Sequence, residues 1–193
     1  MKKTVFILTG CLFSVFAALA QNKQVPEQKG YRHTVAASIQ VPIGTFAASH
    51  IAGIGSQYSW SRYRFGHLTA KPSKAIGFTA DGGIDYYLGK KITEAGYSFR
   101  FGNYLYLHSF AGIMYNPGKV SKQNEYLNMI NLRLTAGPTL GLYKRNADVG
   151  YGVRLCGSYY LMEKIAITPG MMFRKHALAS TLWSAILHVS YNF

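Results

Sequence analysis

Apolar and polar residues alternate with a period of two along most of the chain from His33 onward. Successive side chains of a strand point to opposite sides, so this spacing predicts strands with one apolar and one wet face. The last thirteen residues organise the pattern. Trp183, Ala185, Leu187, Val189, Tyr191 and Phe193 share one face, and Ser184, Ile186, His188, Ser190 and Asn192 the other. The first strand, His33–Gly44, sets Val35, Ala37, Ile39, Val41 and Ile43 against Thr34, Ala36, Ser38 and Gln40. A turn at Gly44–Ser49 leads to a second strand from Ile51 to Tyr63. There Ala52, Ile54, Tyr58 and Trp60 oppose Gly53, Gly55, Gln57, Ser59 and Ser61.

A loop at Arg64–Lys74 separates this from the third strand, Ile76–Leu88, where the alternation is clearest. Ile76, Phe78, Ala80, Ile84, Tyr86 and Leu88 point outward, and Gly77, Thr79, Asp81, Gly83, Asp85 and Tyr87 inward. The connection Gly89–Asn103 carries a short hairpin extension. A fourth strand follows over Tyr104–Asn116, with Leu105, Leu107, Ala111 and Ile113 outward and Tyr106, His108 and Gly112 inward. After a polar loop at Lys119–Tyr126, the fifth strand, Met129–Tyr143, directs Leu132, Leu134 and Leu140 outward. Its Asn131, Arg133, Thr135, Thr139 and Tyr143 point inward. Lys144–Asp148 is a turn. The sixth strand, Val149–Leu161, turns Arg154, Cys156, Ser158 and Tyr160 inward. The seventh, Ile165–Arg174, does the same with Thr168, Gly170 and Arg174, and Lys175–Ser180 leads into the last strand. Pro138 and Pro169 each remove a ladder donor inside a strand, and each adjoins a glycine, so a bulge is expected at both.

The count is eight and both ends of the set fall on one side. If the apolar faces meet lipid, no sheet edge can stay open. The expected fold is all-β: a closed eight-stranded antiparallel up-and-down transmembrane β-barrel, with an interior just wide enough for side chains. After the N-terminal segment no apolar run is long enough for a spanning helix, while 15 Tyr, 11 Phe and 20 Gly suit a barrel.

Composition adds compartment and charge. Lys2 and Lys3, the apolar stretch Val5–Ala17 and the small residues of Ala18-Leu-Ala20 read as a secretory signal peptide over 1–20. Leu8–Cys11 resembles a lipobox, but the apolar stretch before Cys11 is too short and the residues after it stay apolar. Residues 21–31 read as a polar periplasmic lead-in and 32–193 as the barrel. Cys156 is the one cysteine after the leader, which excludes an intrachain disulfide and reads as a small packed residue. Without the leader the chain keeps 19 basic against 7 acidic residues. With an export signal, that excess points to lipid phosphates and not to nucleic acid.

The chain resembles the outer-membrane β-barrel domain proteins common in Bacteroidetes. The resemblance rests on Val41-Pro-Ile-Gly-Thr-Phe46, Gly82-Gly-Ile-Asp-Tyr-Tyr87, Ala136-Gly-Pro-Thr-Leu-Gly141, Ile165-Ala-Ile-Thr-Pro-Gly170 and Tyr191-Asn-Phe193. It implies a small eight-stranded barrel in the bacterial cell outer membrane and brings no catalytic residues. The ending on Phe193 resembles the C-terminal strand by which such barrels are recognised for assembly. Trp183, Val189, Tyr191 and Phe193 are the expected signal to the assembly machinery.

The candidate chemistry is modest. Asp81, Asp85, Arg133 and Arg154 form an expected cluster of interior charges, with Gln57, Tyr87, Tyr160 and His188 as hydrogen-bonding neighbours. It acts either as a plug or as the gate of a thin channel. Lys90, Lys91, Arg100, Lys144, Arg145, Arg174 and Lys175 form an expected basic rim that faces lipopolysaccharide. His188 and Ser190 share an inner face, which raises the question of a lipid hydrolase, but an exposed pair with an orienting acid is missing from the pattern. No metal-ligand cluster or phosphate loop is visible, and no cofactor is expected. The reading is a monomeric, non-enzymatic barrel with a filled interior and a structural or surface-interaction role. A narrow passive channel for ions or small solutes is the alternative, and a lipid-modifying enzyme a more distant one.

Overall fold

The computed structural model describes residues 31–62, 75–117, 127, 129–144, 146–162, 164–177 and 181–193. The leader 1–20, the lead-in up to Gly30, Arg64–Lys74 and Lys119–Tyr126 lie outside the described residues. Strands run over β1 (Tyr31–Ile43), β2 (His50–Arg62), β3 (Ile76–Gly89), β4 (Lys91–Glu94), β5 (Tyr97–Arg100), β6 (Tyr104–Tyr115), β7 (Ile130–Tyr143), β8 (Asn146–Tyr160), β9 (Ile165–His176) and β10 (Leu182–Asn192). Eight of these close in the order β1-β10-β9-β8-β7-β6-β3-β2, and β4 and β5 form a separate hairpin. The closing seam pairs β1 with β10, from Thr34↔Asn192 to Ile43↔Trp183. Backbone bonds between His33 and Phe193 (3.0 and 3.3 Å) seal its terminal end.

The alternation sets the two faces as expected. Ile39, Ile54, Leu134, Leu155 and Val189 are exposed, while their neighbours Gln40, Gly53, Thr135, Arg154 and Ser190 are buried. The exposed apolar positions make a belt that only lipid can cover favourably. Aromatics edge the belt at both ends: Tyr58, Trp60, Phe78, Tyr115 and Tyr191 towards the termini, and Tyr86, Phe173 and Trp183 towards the far end. That arrangement is the girdle of a membrane barrel.

Four local expectations change. Neither Pro138 nor Pro169 makes a bulge. β6–β7 pairing passes from His108↔Thr139 to Ala111↔Ala136 in unbroken register, and β9–β10 runs through Leu187↔Pro169 without a shift. Closure fixes every strand's stagger, so a missing donor is absorbed by skipping ladder bonds. Among the described residues, the β2–β3 register shifts between His50 and Gly53. Gly44–Ser49 is not a plain turn. It holds a short helix, α1 (Thr45–Ser49), that drops Phe46 into the barrel mouth. Tyr143 pairs with Asn146, so β8 starts before Asp148 and the turn is shorter than Lys144–Asp148. The expected hairpin in 89–103 is present and turns at Ala95 and Gly96, both with positive φ, as a two-residue connection requires.

Candidate functional site

Among the described residues, the lumen gathers the buried polar side chains. Three layers fill it. At the far end, Phe46, Tyr87, Tyr104, Tyr106 and Leu182 form an apolar cap. Tyr104 and Tyr106 stack at 4.3 Å, and Phe46 lies 4.9 Å from the Tyr87 ring. His176 bonds Thr139 Oγ1 (3.1 Å) and the Asp148 carbonyl (3.0 Å) at the same level.

Below the cap sit the ion pairs. Asp85 pairs with Arg174, and Asp81 with Arg154. Gln40 donates to Asp85 and accepts from the Tyr87 hydroxyl, which in turn accepts from Arg174 at 3.0 Å. Arg154 also donates to Gln57 Oε1. His108 stands between the carboxylates, 3.8 Å from Asp81 and 3.3 Å from Asp85. The guanidinium of Arg174 lies 4.4 Å from the Tyr106 centroid, and that of Arg154 lies 5.3 Å from Phe110. Aromatic faces thus supply cation–π contact where water is excluded.

Small residues make this density possible. A side chain at Gly53 would meet the Tyr87 ring at 2.7 Å, and one at Gly152 would meet Phe110 at 2.7 Å. Large inward residues lie against inward glycines of the next strand, as Tyr87 on β3 does against Gly53 on β2, or of the strand beyond it, as Phe110 on β6 does against Gly152 on β8.

The terminal half differs. Thr34, Ser61, Asn131, Ser158, Ser190 and Asn192 line a cavity of about 10 Å³, room for about one water. Arg133 also reaches into it, half-buried, and donates to Ser158 Oγ at 2.7 Å.

Three of the four residues of the expected cluster meet. Asp81, Asp85 and Arg154 come together, but Arg133 stands below them. The second guanidinium is that of Arg174, which lies inside the barrel and not on the expected basic rim. Arg174 is 1% exposed. Its inward parity was legible in the sequence, but its position near a strand end suggested the rim; the barrel walls rise past it because β9 continues to His176. Gln57 and Tyr87 do bond the ion pairs. Tyr160 lines the terminal cavity instead, and His188 makes no bond to the carboxylates. Gln40 and His108 join the cluster too, without having been expected there. Both had inward parity, and nothing in a one-dimensional pattern gave their height.

Of the rim, Lys90, Lys91, Arg100, Lys144 and Lys175 are exposed at the far end, and Arg145 lies outside the described residues. Trp183, Val189, Tyr191 and Phe193 are all exposed on the lipid-facing side of β10 and its end. His188 and Ser190 are buried, and Ser190 donates to the Ala166 carbonyl at 3.2 Å. Among the described residues no set of three or more His, Cys, Asp or Glu side chains is placed to hold a metal ion.

No protein-family model and no curated protein matches the chain. Solved structures do. Ail, the attachment invasion locus protein of Yersinia pestis, is 12% identical with a TM-score of 0.52, covering 86% of this chain and all of Ail. The chain has the fold of a small outer-membrane β-barrel. Ail in complex with the heparin analogue sucrose octasulfate is similar at 11% identity and a TM-score of 0.52, over 84% of this chain and 97% of that one. Neisserial surface protein A matches at 14% identity and a TM-score of 0.48, over 85% and 96%. At such identities the likeness is one of fold.

Proposed function

We propose that this is an integral protein of the bacterial outer membrane whose interior is a packed plug. Its work is structural or is done by its far-end surface, without catalysis. The observation that carries this reading is the filled lumen. The ion pairs and the aromatic cap occupy the cross-section, and the cavity below them holds about one water. The motifs from Val41 to Phe193 support membership of the barrel family common in Bacteroidetes. The basic leader supports export, with the termini on the periplasmic side.

On this reading the exposed Lys90, Lys91, Arg100, Lys144 and Lys175 face the outer leaflet and its lipopolysaccharide phosphates, at roughly 1 kcal/mol for each basic residue near an anionic surface. The aromatic face of β10 is the segment offered to the assembly machinery. The burial of His188 and Ser190 speaks against a hydrolase at that pair.

The deciding experiment is single-channel recording of the refolded barrel in a planar bilayer. A silent barrel is expected. Reproducible conductance steps that change ion preference in Asp81→Asn would overturn the plug and favour the narrow channel, for which the polar terminal half is the supporting observation.

A further inference from the structure

The hairpin of β4 and β5 stands apart from the barrel wall. Its strands pair only with each other, and seven of their eight residues are exposed. A lone two-stranded hairpin is marginal in water. This one is held at its base. Lys90 N–H donates to the Ser49 carbonyl (2.8 Å), Phe101 N–H to the Lys90 carbonyl (3.0 Å) and Gly102 N–H to the Tyr143 hydroxyl (3.1 Å). It is a fixed projection with both faces uncovered.

The cross-strand pairs sort its side chains. Ile92 stands opposite Phe99, and Glu94 at the tip opposite Tyr97, on one face. Lys91 stands opposite Arg100, and Thr93 opposite Ser98, on the other. Phe99 is 55% exposed and Tyr97 84%. Phe101 meets Phe99 edge-on at 5.0 Å and steadies that ring. On the second face two cations are directly opposed, which is unfavourable without an anion. Among the described residues no carboxylate lies within ion-pairing distance of either.

Height and chemistry select the occupant. Tyr86 belongs to the far girdle, and the Ile92–Phe99 pair lies further along the same strand path. At barrel tilt that stretch rises up to roughly 15 Å above the girdle. Acyl chains end below that level. In an outer leaflet of lipopolysaccharide, the layer there is oligosaccharide. A sugar ring offers a C–H face that suits the negative face of an aromatic ring. Its phosphate and carboxylate substituents suit an opposed Lys and Arg. A protein strand is a poorer fit, because the hairpin strands are four residues long and carry a charge at their outer pair.

We propose that the β4–β5 hairpin docks on the oligosaccharide of neighbouring lipopolysaccharide, with Ile92, Tyr97 and Phe99 against sugar rings and Lys91 and Arg100 on its acidic groups. This rests on the reading that the far end faces the outer leaflet.

The test compares two probes on the barrel refolded in non-ionic detergent and immobilised: lipopolysaccharide that carries its core oligosaccharide, and lipid A alone. The expected result is about three- to tenfold tighter binding of the oligosaccharide-bearing form. Tyr97→Ser/Phe99→Ser should abolish that preference and leave lipid A binding unchanged. Both rings are exposed and off the barrel wall, so the unfolding midpoint should not move; Phe99→Ser alone decides if the double variant does not refold. Equal affinity of the wild type for the two probes would overturn the hairpin's role while leaving the basic rim in place. A preference that survives both variants would overturn it as well. Binding of the oligosaccharide-bearing form with none of lipid A would support the hairpin and count against rim contact with lipid A phosphates. Loss of binding to both probes in the double variant would give the face to the lipid itself and overturn the proposal. So would a detergent-solubilised dimer that the double variant dissolves, which would give the face to a second copy.

Discussion

The two halves of the lumen are built by the same eight strands with the same alternation, yet they are different materials. In the far half, long side chains from opposite walls meet across the axis. Arg174 from β9 reaches Asp85 and Tyr87 on β3, and Arg154 from β8 reaches Asp81 on β3 and Gln57 on β2. In the terminal half many inward residues are short, and Thr34, Ser61, Ser158, Thr168 and Ser190 bond their near neighbours along the wall. The difference teaches that a barrel of this width is closed by side-chain reach. Where residues span the axis, charge is neutralised and water excluded. Where they do not, a small polar space remains, lined in part by Arg133.

The largest test of this contrast is to remove an axis-spanning partner. Arg174→Met leaves Asp85 buried without its ion pair, and the expected loss is about 3–5 kcal/mol of folding stability. Arg133→Met, measured the same way, should stay within about 1 kcal/mol of wild type, because it removes a half-buried cation that pairs with no carboxylate among the described residues. Urea unfolding of the refolded proteins in detergent compares the two; equal losses would mean the halves do not differ. Next comes a contrast of faces at the height of Arg133. Leu134→Arg puts a charge on lipid at mid-strand and should cost roughly 2–4 kcal/mol and impair insertion, as read from membrane-fraction yield. Outward Leu134 is 46% exposed, whereas Thr135 beside it is 2% exposed.

A smaller effect tests how the far half is packed. Gly152→Val drives methyl groups into Phe110 and should cost about 1–3 kcal/mol. Gly157→Ala, where an added Cβ meets only Leu132 at 3.5 Å, should be close to neutral. The smallest concerns the far rim. Lys91→Glu should leave the unfolding midpoint unchanged and weaken binding of the refolded barrel to lipopolysaccharide-containing vesicles by less than about tenfold. An unaltered affinity would remove Lys91 from the proposed contact surface.

Much of this was readable from the sequence, for a physical reason. A strand's side-chain period is two whatever its surroundings, so parity alone separates lipid-facing from lumen-facing residues. That is why Leu134 and Thr135, Asp85 and Tyr86, and Val189 and Ser190 fall on the expected sides. The absence of sheet edges in lipid then makes eight such strands a closed barrel. Parity carries no information about height or about which residues meet across the axis. Those depend on the stagger between strands, set by closure and by the seam Thr34↔Asn192 to Ile43↔Trp183. So the sequence determined the eight strands, their two faces and the inward charges. Only the tertiary structure decided that Arg174 and not Arg133 completes the second ion pair, that Phe46 caps the mouth from a one-turn helix, and that Pro138 and Pro169 fit without a bulge. Each follows from three-dimensional distance across a closed cylinder, which a pattern along the chain does not encode.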